Sequence, residues 1–214
     1  MDNCVIMQNL TLQTFILMWK RALKDVGERA GEFSSLDAVT GDGDHGTAIV
    51  QALASVVDAA EKGTEFKTML NDMGLNVMMQ TSGSTSTLIG GFLLGMSDNA
   101  EGTELDGNQV RQMFRGGLEG VQKQTQAGKG DKTMMDALIP AVEAMLESGS
   151  DDICQLFSVA ADAAQQGAKG TTGMRAKFGR ARNYGERSIG YADAGALSWA
   201  CMFAAFKQSV NESP

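Results

Sequence analysis

Proline is almost missing from this chain, with two residues in 214. Proline breaks helix interiors, so its scarcity leaves long helices uninterrupted. Sustained alternation of branched and polar residues, the mark of a half-buried strand, is missing too. With abundant Ala, Met and Leu, these absences point to an all-α chain. Cysteine is also scarce. Cys4, Cys154 and Cys201 are odd in number, far apart and without metal-type spacing, which argues against a disulfide framework and reads as reduced packing thiols. No apolar run reaches the ~18 residues of a membrane span, and Met1-Asp2-Asn3-Cys4 lacks the basic lead of a signal peptide. Basic charge is in deficit, with a net charge of −8 and a pI near 4.7, the opposite of a nucleic-acid binder. The expectation is one soluble, cytoplasmic domain over residues 1–214 with neither nucleic acid nor membrane as partner. A chain of this size buries about 70% of its unfolded surface.

What is present centres on Ser35-Leu36-Asp37-Ala38-Val39-Thr40-Gly41-Asp42-Gly43-Asp44-His45-Gly46-Thr47. Three aspartates within eight residues are separated by glycines and joined by the only histidine of the chain. At ~5 Å each carboxylate pair costs about 1 kcal/mol in water and more where partly buried. Two readings stand: a loop holding Mg2+ or Ca2+ on hard oxygen ligands, or a solvated acidic turn of the ordinary Gly-Asp kind. An EF-hand fails. With Asp42 at loop position one, Gly46 falls at five and Leu53 at twelve, where oxygen ligands are required.

Apolar residues at three-four spacing mark about eight helices, beginning after Thr11 as a cap (Leu12, Phe15, Ile16, Trp19) and ending with a helix from 195 to about 210. The Asp37 stretch reads as the loop before the second helix, whose N–H groups would face whatever the aspartates hold. Thr81 to Thr87 holds six hydroxyl residues around Gly83 and opens another helix, either as a cap or as a set of phosphate donors. Gly91 and Gly95 allow a neighbouring helix to approach. Residues 98–106 read as a surface loop, and Lys132 as a solvated charge beside a cap. Between Gly170 and Gly195, six basic residues (Lys169 just before it, then Arg175, Lys177, Arg180, Arg182 and Arg187) meet only Glu186 and Asp193, the one place where an anion would settle by charge alone. Four polar glycine loops (37–47, 81–87, 128–133 and 180–195) precede the second, fourth, sixth and eighth helices. In an up-and-down array every second connection lies at the same end, so all four gather at one mouth.

Leu36-Asp37 with Gly41-Asp42-Gly43-Asp44-His45-Gly46, Gly130-Asp131-Lys132-Thr133-Met134 with Asp136, and Gly179-Arg180-Ala181 with Gly185-Glu186-Arg187-Ser188-Ile189-Gly190 resemble the L subunit of bacterial dihydroxyacetone kinase (DhaL) and the nucleotide domain of single-chain dihydroxyacetone kinases. The resemblance covers nearly the whole chain. It implies an eight-helix antiparallel barrel with a nucleotide, ADP or ATP, at one end. Carried over by position, Asp37, Asp42 and Asp44 bind two Mg2+ ions, and His45, Gly46, Thr47 and Ala48 contact the nucleotide. Ser84 and Thr85 donate to phosphate, Met134 packs near adenine, Arg180 sits by the phosphates as the catalytic cation, and Asp193, Ala194 and Gly195 close the site. The chain departs from the family pattern at Ser82 and Ser86, where glycines are usual, at Thr125, which is carried over as a nucleotide contact where close relatives have a glycine, at Tyr191 in place of His, and at Ala194 in place of Pro.

By that resemblance, a separate K subunit holds the ketose and this chain presents the nucleotide. The form most resembled keeps ADP bound and is recharged by a phosphohistidine protein of the phosphotransferase system. An ATP-exchanging kinase acting on dihydroxyacetone or a tetrulose, and a nucleotide-bound regulator of a transcription factor, remain the alternatives. Whether the chain forms a homodimer is open.

Overall fold

The computed structural model describes residues 7–212. The remarks above on Cys4 and on the first residues lie outside that range. Among the described residues the elements run β1 (Asn9–Thr11), α1 (Leu12–Glu28), α2 (Ala30–Thr40), α3 (His45–Ala60), α4 (Phe66–Gln80), α5 (Ser84–Ser97), β2 (Glu104–Asp106), α6 (Gly107–Gln122), α7 (Met135–Glu147), α8 (Ile153–Gly170) and α9 (Ala194–Glu212). Short 3₁₀ turns at Thr171–Gly173 and Arg180–Ser188 lie between the last two helices.

The expected antiparallel ring is present. From α3 onward each helix packs on the next in chain order, while α9 returns to α1 and α1 packs on α3. α1 and α2 form one broken stave, parted at Arg29, so the nine α-helices among the described residues give the eight expected positions. α2 corrects the expected loop at Asp37. Residues 30–40 are helical, but only Phe33 of them is buried, so no apolar stripe announces the helix. The expected surface loop at 98–106 ends instead in a short ribbon, with Leu10 opposite Leu105 and antiparallel pairing.

A chain of edge-to-face aromatic contacts crosses the interior. Phe66 meets Phe15, Phe15 meets Trp19, and Trp19 meets Phe206; Phe92 meets Phe114 and Trp199, at centroid separations of 5.1–6.1 Å. Such pairs contribute about 0.5–1.5 kcal/mol each beyond the apolar area they bury. α9 is buried nearly all round, which accounts for its lack of an amphipathic pattern. α5 and α6 meet along glycine. A Cβ on Gly95 would overlap the Gly116 carbonyl oxygen, and one on Gly120 would overlap that of Gly91.

The two ends of the barrel are finished differently. The far end carries the starts of α1, α4, α6 and α8, and each has a side-chain cap. Thr11 accepts from the Thr14 N–H, Glu65 from Thr68, Asp152 from Cys154, and Asp106 forms a reciprocal capping box with Gln109. At the other end, where α3, α5, α7 and α9 start, the residues before α3, α5 and α7 (Asp44, Gly83 and Met134) make no side-chain cap.

The glycine seam gives a stability test. Gly120→Ala should lower the unfolding free energy by about 1–3 kcal/mol, read as a lower urea midpoint. An unchanged midpoint would show that α5 and α6 have room to part.

Candidate functional site

Four connections converge on one cleft of about 390 Å³ at the end where α3, α5, α7 and α9 start, lined by residues of all four predicted loops. The acidic wall begins on the last turn of α2. Gly41 ends that helix, and a Cβ there would overlap the Asp37 carboxylate that folds across it. Gly43, at φ +76°, turns the chain back, and its N–H donates to Asp37 Oδ2 at 2.9 Å. Asp42 and Asp44 follow, both exposed. One ligand oxygen from each of Asp37, Asp42 and Asp44 lies within 4.8 Å of the others.

Arg180 reaches this cluster from the opposite wall and pairs with Asp42. The segment carrying it is more neutralised than its composition suggests. Arg175 pairs with Glu186 and Lys177 with Asp131, so three of the six cations already have carboxylate partners.

His45, at the start of α3, borders the cleft with Ala48. Its Nε2 lies 2.9 Å from Ser198 Oγ, which also donates to the Gly195 carbonyl at 3.0 Å. Burial lowers the imidazole pKa, and the attraction of Asp37 only partly opposes this, so the ring is neutral at pH 7. Gly46 and Thr47 do not line the cleft. Gly46 is packed against α2, where its N–H donates to Ser34 Oγ at 3.1 Å, while Thr47 is exposed. Part of the predicted N–H array at this helix start is therefore occupied by α2.

The start of α5 is freer. Gly83, at φ +96°, leads into the exposed Ser84 and half-buried Thr85, both on the cleft. Ser86, one of the departures from glycine, is buried with its hydroxyl 2.6 Å from Thr81 Oγ1. It ties the loop together and leaves Ser84 and Thr85 outward. In the 128–133 loop the N–H groups turn inward instead. Asp131 accepts from Gly128, and the buried Asp136 accepts from Gly130 and Thr133 at 2.5 and 2.9 Å. This loop supplies shape, with few donors left for an anion. Thr125, Met134, Asp193, Ala194 and Gly195 all line the cleft, as anticipated.

Leu36, Leu88, Phe178 and Trp199 were not anticipated as lining residues. Leu88 and Trp199 are apolar residues inside the predicted fourth and last helices, so nothing in their spacing separates them from core. Lys132 is the largest correction. It is 3% exposed, and Nζ donates to the carbonyls of Thr171, Met174 and Tyr191 at 2.7, 3.1 and 2.6 Å.

The donor set fits a hard divalent cation. Three convergent carboxylates repel one another, and oxygen-only ligation suits Mg2+. Donor groups and apolar walls share the cleft, whose volume falls in the range of small-ligand sites. Fold and site thus define a helical-barrel domain whose mouth sets a carboxylate cluster beside a guanidinium and a hydroxyl loop.

The chain belongs to the DAK2 domain family, which it matches over residues 39–208. It is 31% identical over 195 residues to the ADP-binding subunit DhaL of PEP-dependent dihydroxyacetone kinase 1 of Listeria innocua, covering 88% of this chain and 94% of that one. It is 35% identical over 197 residues to the L-erythrulose kinase of Pectobacterium atrosepticum, of which it spans 32%. The crystal structure of the dihydroxyacetone kinase from C. freundii in complex with AMP-PNP and Mg2+ shares the fold, with a TM-score of 0.72 at 22% identity over 98% of this chain and 36% of that one.

Asp193 sets a pH dependence. Its Oδ1 accepts the Ala196 N–H at 2.7 Å, yet withdrawal from water, with Asp136 and Asp37 nearby, pushes its pKa up to about 7. The folded state then holds a proton that the unfolded chain releases near its ordinary value of 3.8. This contribution to stability is present at low pH and is lost as pH rises toward 7. In metal-free buffer, Asp193→Asn should gain on wild type between pH 5 and 8 by on the order of 2 kcal/mol, a figure discounted for partial exposure. Urea midpoints at the two pH values read the difference. A constant gap between the two proteins would show that Asp193 titrates normally.

Proposed function

We propose that this chain is the nucleotide-binding, phosphoryl-transferring subunit of a dihydroxyacetone (glycerone) kinase. It would present Mg-bound ADP/ATP to a ketose held on a separate K subunit and be recharged by a phosphohistidine protein of the phosphotransferase system. One observation carries the reading: the aspartate cluster, Arg180 and the uncapped start of α5 open into the same cleft. Support for the subunit form comes from the match to an ADP-binding subunit over 94% of that protein's length, whereas only 32% of the Pectobacterium atrosepticum kinase is matched.

Phosphoryl transfer depends mainly on positioning and charge neutralisation. Asp37, Asp42 and Asp44 would hold two Mg2+ ions, which when bound supply Lewis-acid neutralisation of a phosphate chain. Ser84 and Thr85 offer hydroxyl and helix-start donors to phosphate oxygens. Arg180, fixed at the cluster by Asp42, stands where a guanidinium can stabilise charge on the transferred group. His45, neutral and fastened to Ser198, orders the start of α3 beside the metal ligands. Thr125, Met134 and the Asp193-Ala194-Gly195 turn shape the remaining wall, with Met134 and Phe178 as apolar surface for a base. The chemistry takes place in the cytoplasm, with the K subunit required for turnover.

A second reading is an ATP-exchanging ketose kinase subunit, favoured by the 35% identity to the L-erythrulose kinase. Denaturing freshly purified protein and identifying the released nucleotide separates the two. Stoichiometric ADP is expected, whereas a site that arrives without nucleotide and exchanges ATP freely would favour the second. The double variant Asp42→Ala/Asp44→Ala should lose nucleotide retention by at least tenfold with its helical circular dichroism unchanged. Full occupancy in that variant would remove the aspartates from the site.

A further inference from the structure

Lys132 stands out among the groups that the proposed chemistry leaves unused. It is the only described non-glycine residue with positive φ, at +60°. A left-handed backbone costs an ordinary side chain about 1–2 kcal/mol, so the conformation persists only where something holds it. What holds it is the ammonium group. All three N–H bonds are donated to carbonyls, and a neutral amine, with two N–H bonds, could not make all three contacts. Burial lowers the lysine pKa while Asp193 and Asp136 attract the charge, yet among the described residues Lys132 forms no ion pair with either. The cation is solvated by backbone.

The three carbonyls are not neighbours in sequence. Thr171 and Met174 begin the segment between α8 and α9, and Tyr191 ends it. The segment leaves the barrel at 171, runs out to Arg180 and returns at 191, so Lys132 gathers its neck from the facing 128–134 loop. Its other ties to that loop are the exposed Lys177 contacts with Gly130 and Asp131 and the Lys177 N–H to Asp131. Internal bonds, from Ala176 to Ser188 Oγ and from Gly190 to Thr172, keep the loop compact but do not fix it to the barrel.

We propose that Lys132 is a positioning residue for the nucleotide site: by clamping both limbs of the 171–191 segment it sets where Arg180 stands against Asp42. It borders the cleft but has no ammonium proton left to give a ligand, since all three are donated to carbonyls. The consequence for binding rests on the function proposed above; the clamp itself does not.

The first test therefore needs no nucleotide. Lys132→Met keeps length and volume but removes every donor. Hydrogen exchange of the full chain in metal-free buffer should show amides of residues 171–193 exchanging at least tenfold faster, with the α5–α6 glycine seam unchanged. Unchanged exchange in 171–193 overturns the proposal, and so does an equal rise throughout the barrel, which makes Lys132 a general fold determinant. If Lys132→Met does not fold, Lys132→Gln, with two donors and no charge, carries the same comparison. The second test is a double-mutant cycle on Mg-ADP binding. Lys132→Met should weaken binding about tenfold alone and less than twofold in an Arg180→Ala background. Additive losses overturn the link to Arg180. A wild-type chain that binds no nucleotide overturns the proposed function, while the exchange result still decides the clamp.

Discussion

Three carboxylates crowded within 4.8 Å of one another are the constraint around which the rest of this molecule is arranged. Left alone they would splay into water. Local backbone holds the first of them: Gly41 leaves space for the Asp37 side chain, and the Gly43 N–H bonds to it. The second is held by Arg180, reached across the cleft from a segment more than a hundred residues away. Neither device neutralises the whole cluster. Three convergent oxygen donors left partly uncompensated suit a hard divalent cation, which is what the proposed function requires of this mouth.

The barrel supplies the geometry for that balance through an asymmetry between its ends. At the far end every helix start is closed by a side chain, and backbone bonds such as Leu12 to Thr103, Phe66 to Gly102 and Ile153 to Met7 tie the connections together. At the mouth, among the described residues, only the start of α5 lacks a side-chain acceptor: Ser34 takes the Gly46 N–H of α3, Thr133 the Met135 N–H of α7 and Asp193 the Ala196 N–H of α9. A helix start without a cap has N–H groups to offer, and placing such an end beside cations suits an anion. The donors are not all equal, however. Gly46 is committed to Ser34, and the 128–133 loop is committed to Asp131 and Asp136. The start of α5 is left as the principal donor surface, and the buried Ser86–Thr81 pair is what keeps Ser84 and Thr85 facing it.

Local spacing already contained much of this. The apolar stripes of α1, α6 and α8 specify helices because each buries one face, and the order of polar loops along an up-and-down chain places Asp37, Ser84, Met134 and Asp193 at one end whatever the details of packing. The aspartate spacing identified the acidic wall for a similar reason: residues so close in sequence cannot be far apart in space. α2 was not legible because it buries only Phe33, whereas α9 was legible as a helix from 195 to about 210 although it is enclosed on nearly all sides.

Helix identity, loop parity and the acidic triad are thus determined by the sequence itself, because each depends on residues within a few positions of one another. The tertiary structure decided how individual polar groups are used. Lys132 reads as a surface charge until the carbonyls of Thr171, Met174 and Tyr191, 39, 42 and 59 residues away, enclose it. Whether Gly46 faces a ligand or Ser34, and whether Arg180 is free or paired with Asp42, likewise depends on chain segments brought together only by the closed ring. A polar group buried on folding must find its partner wherever the fold places one, and no local pattern records that choice.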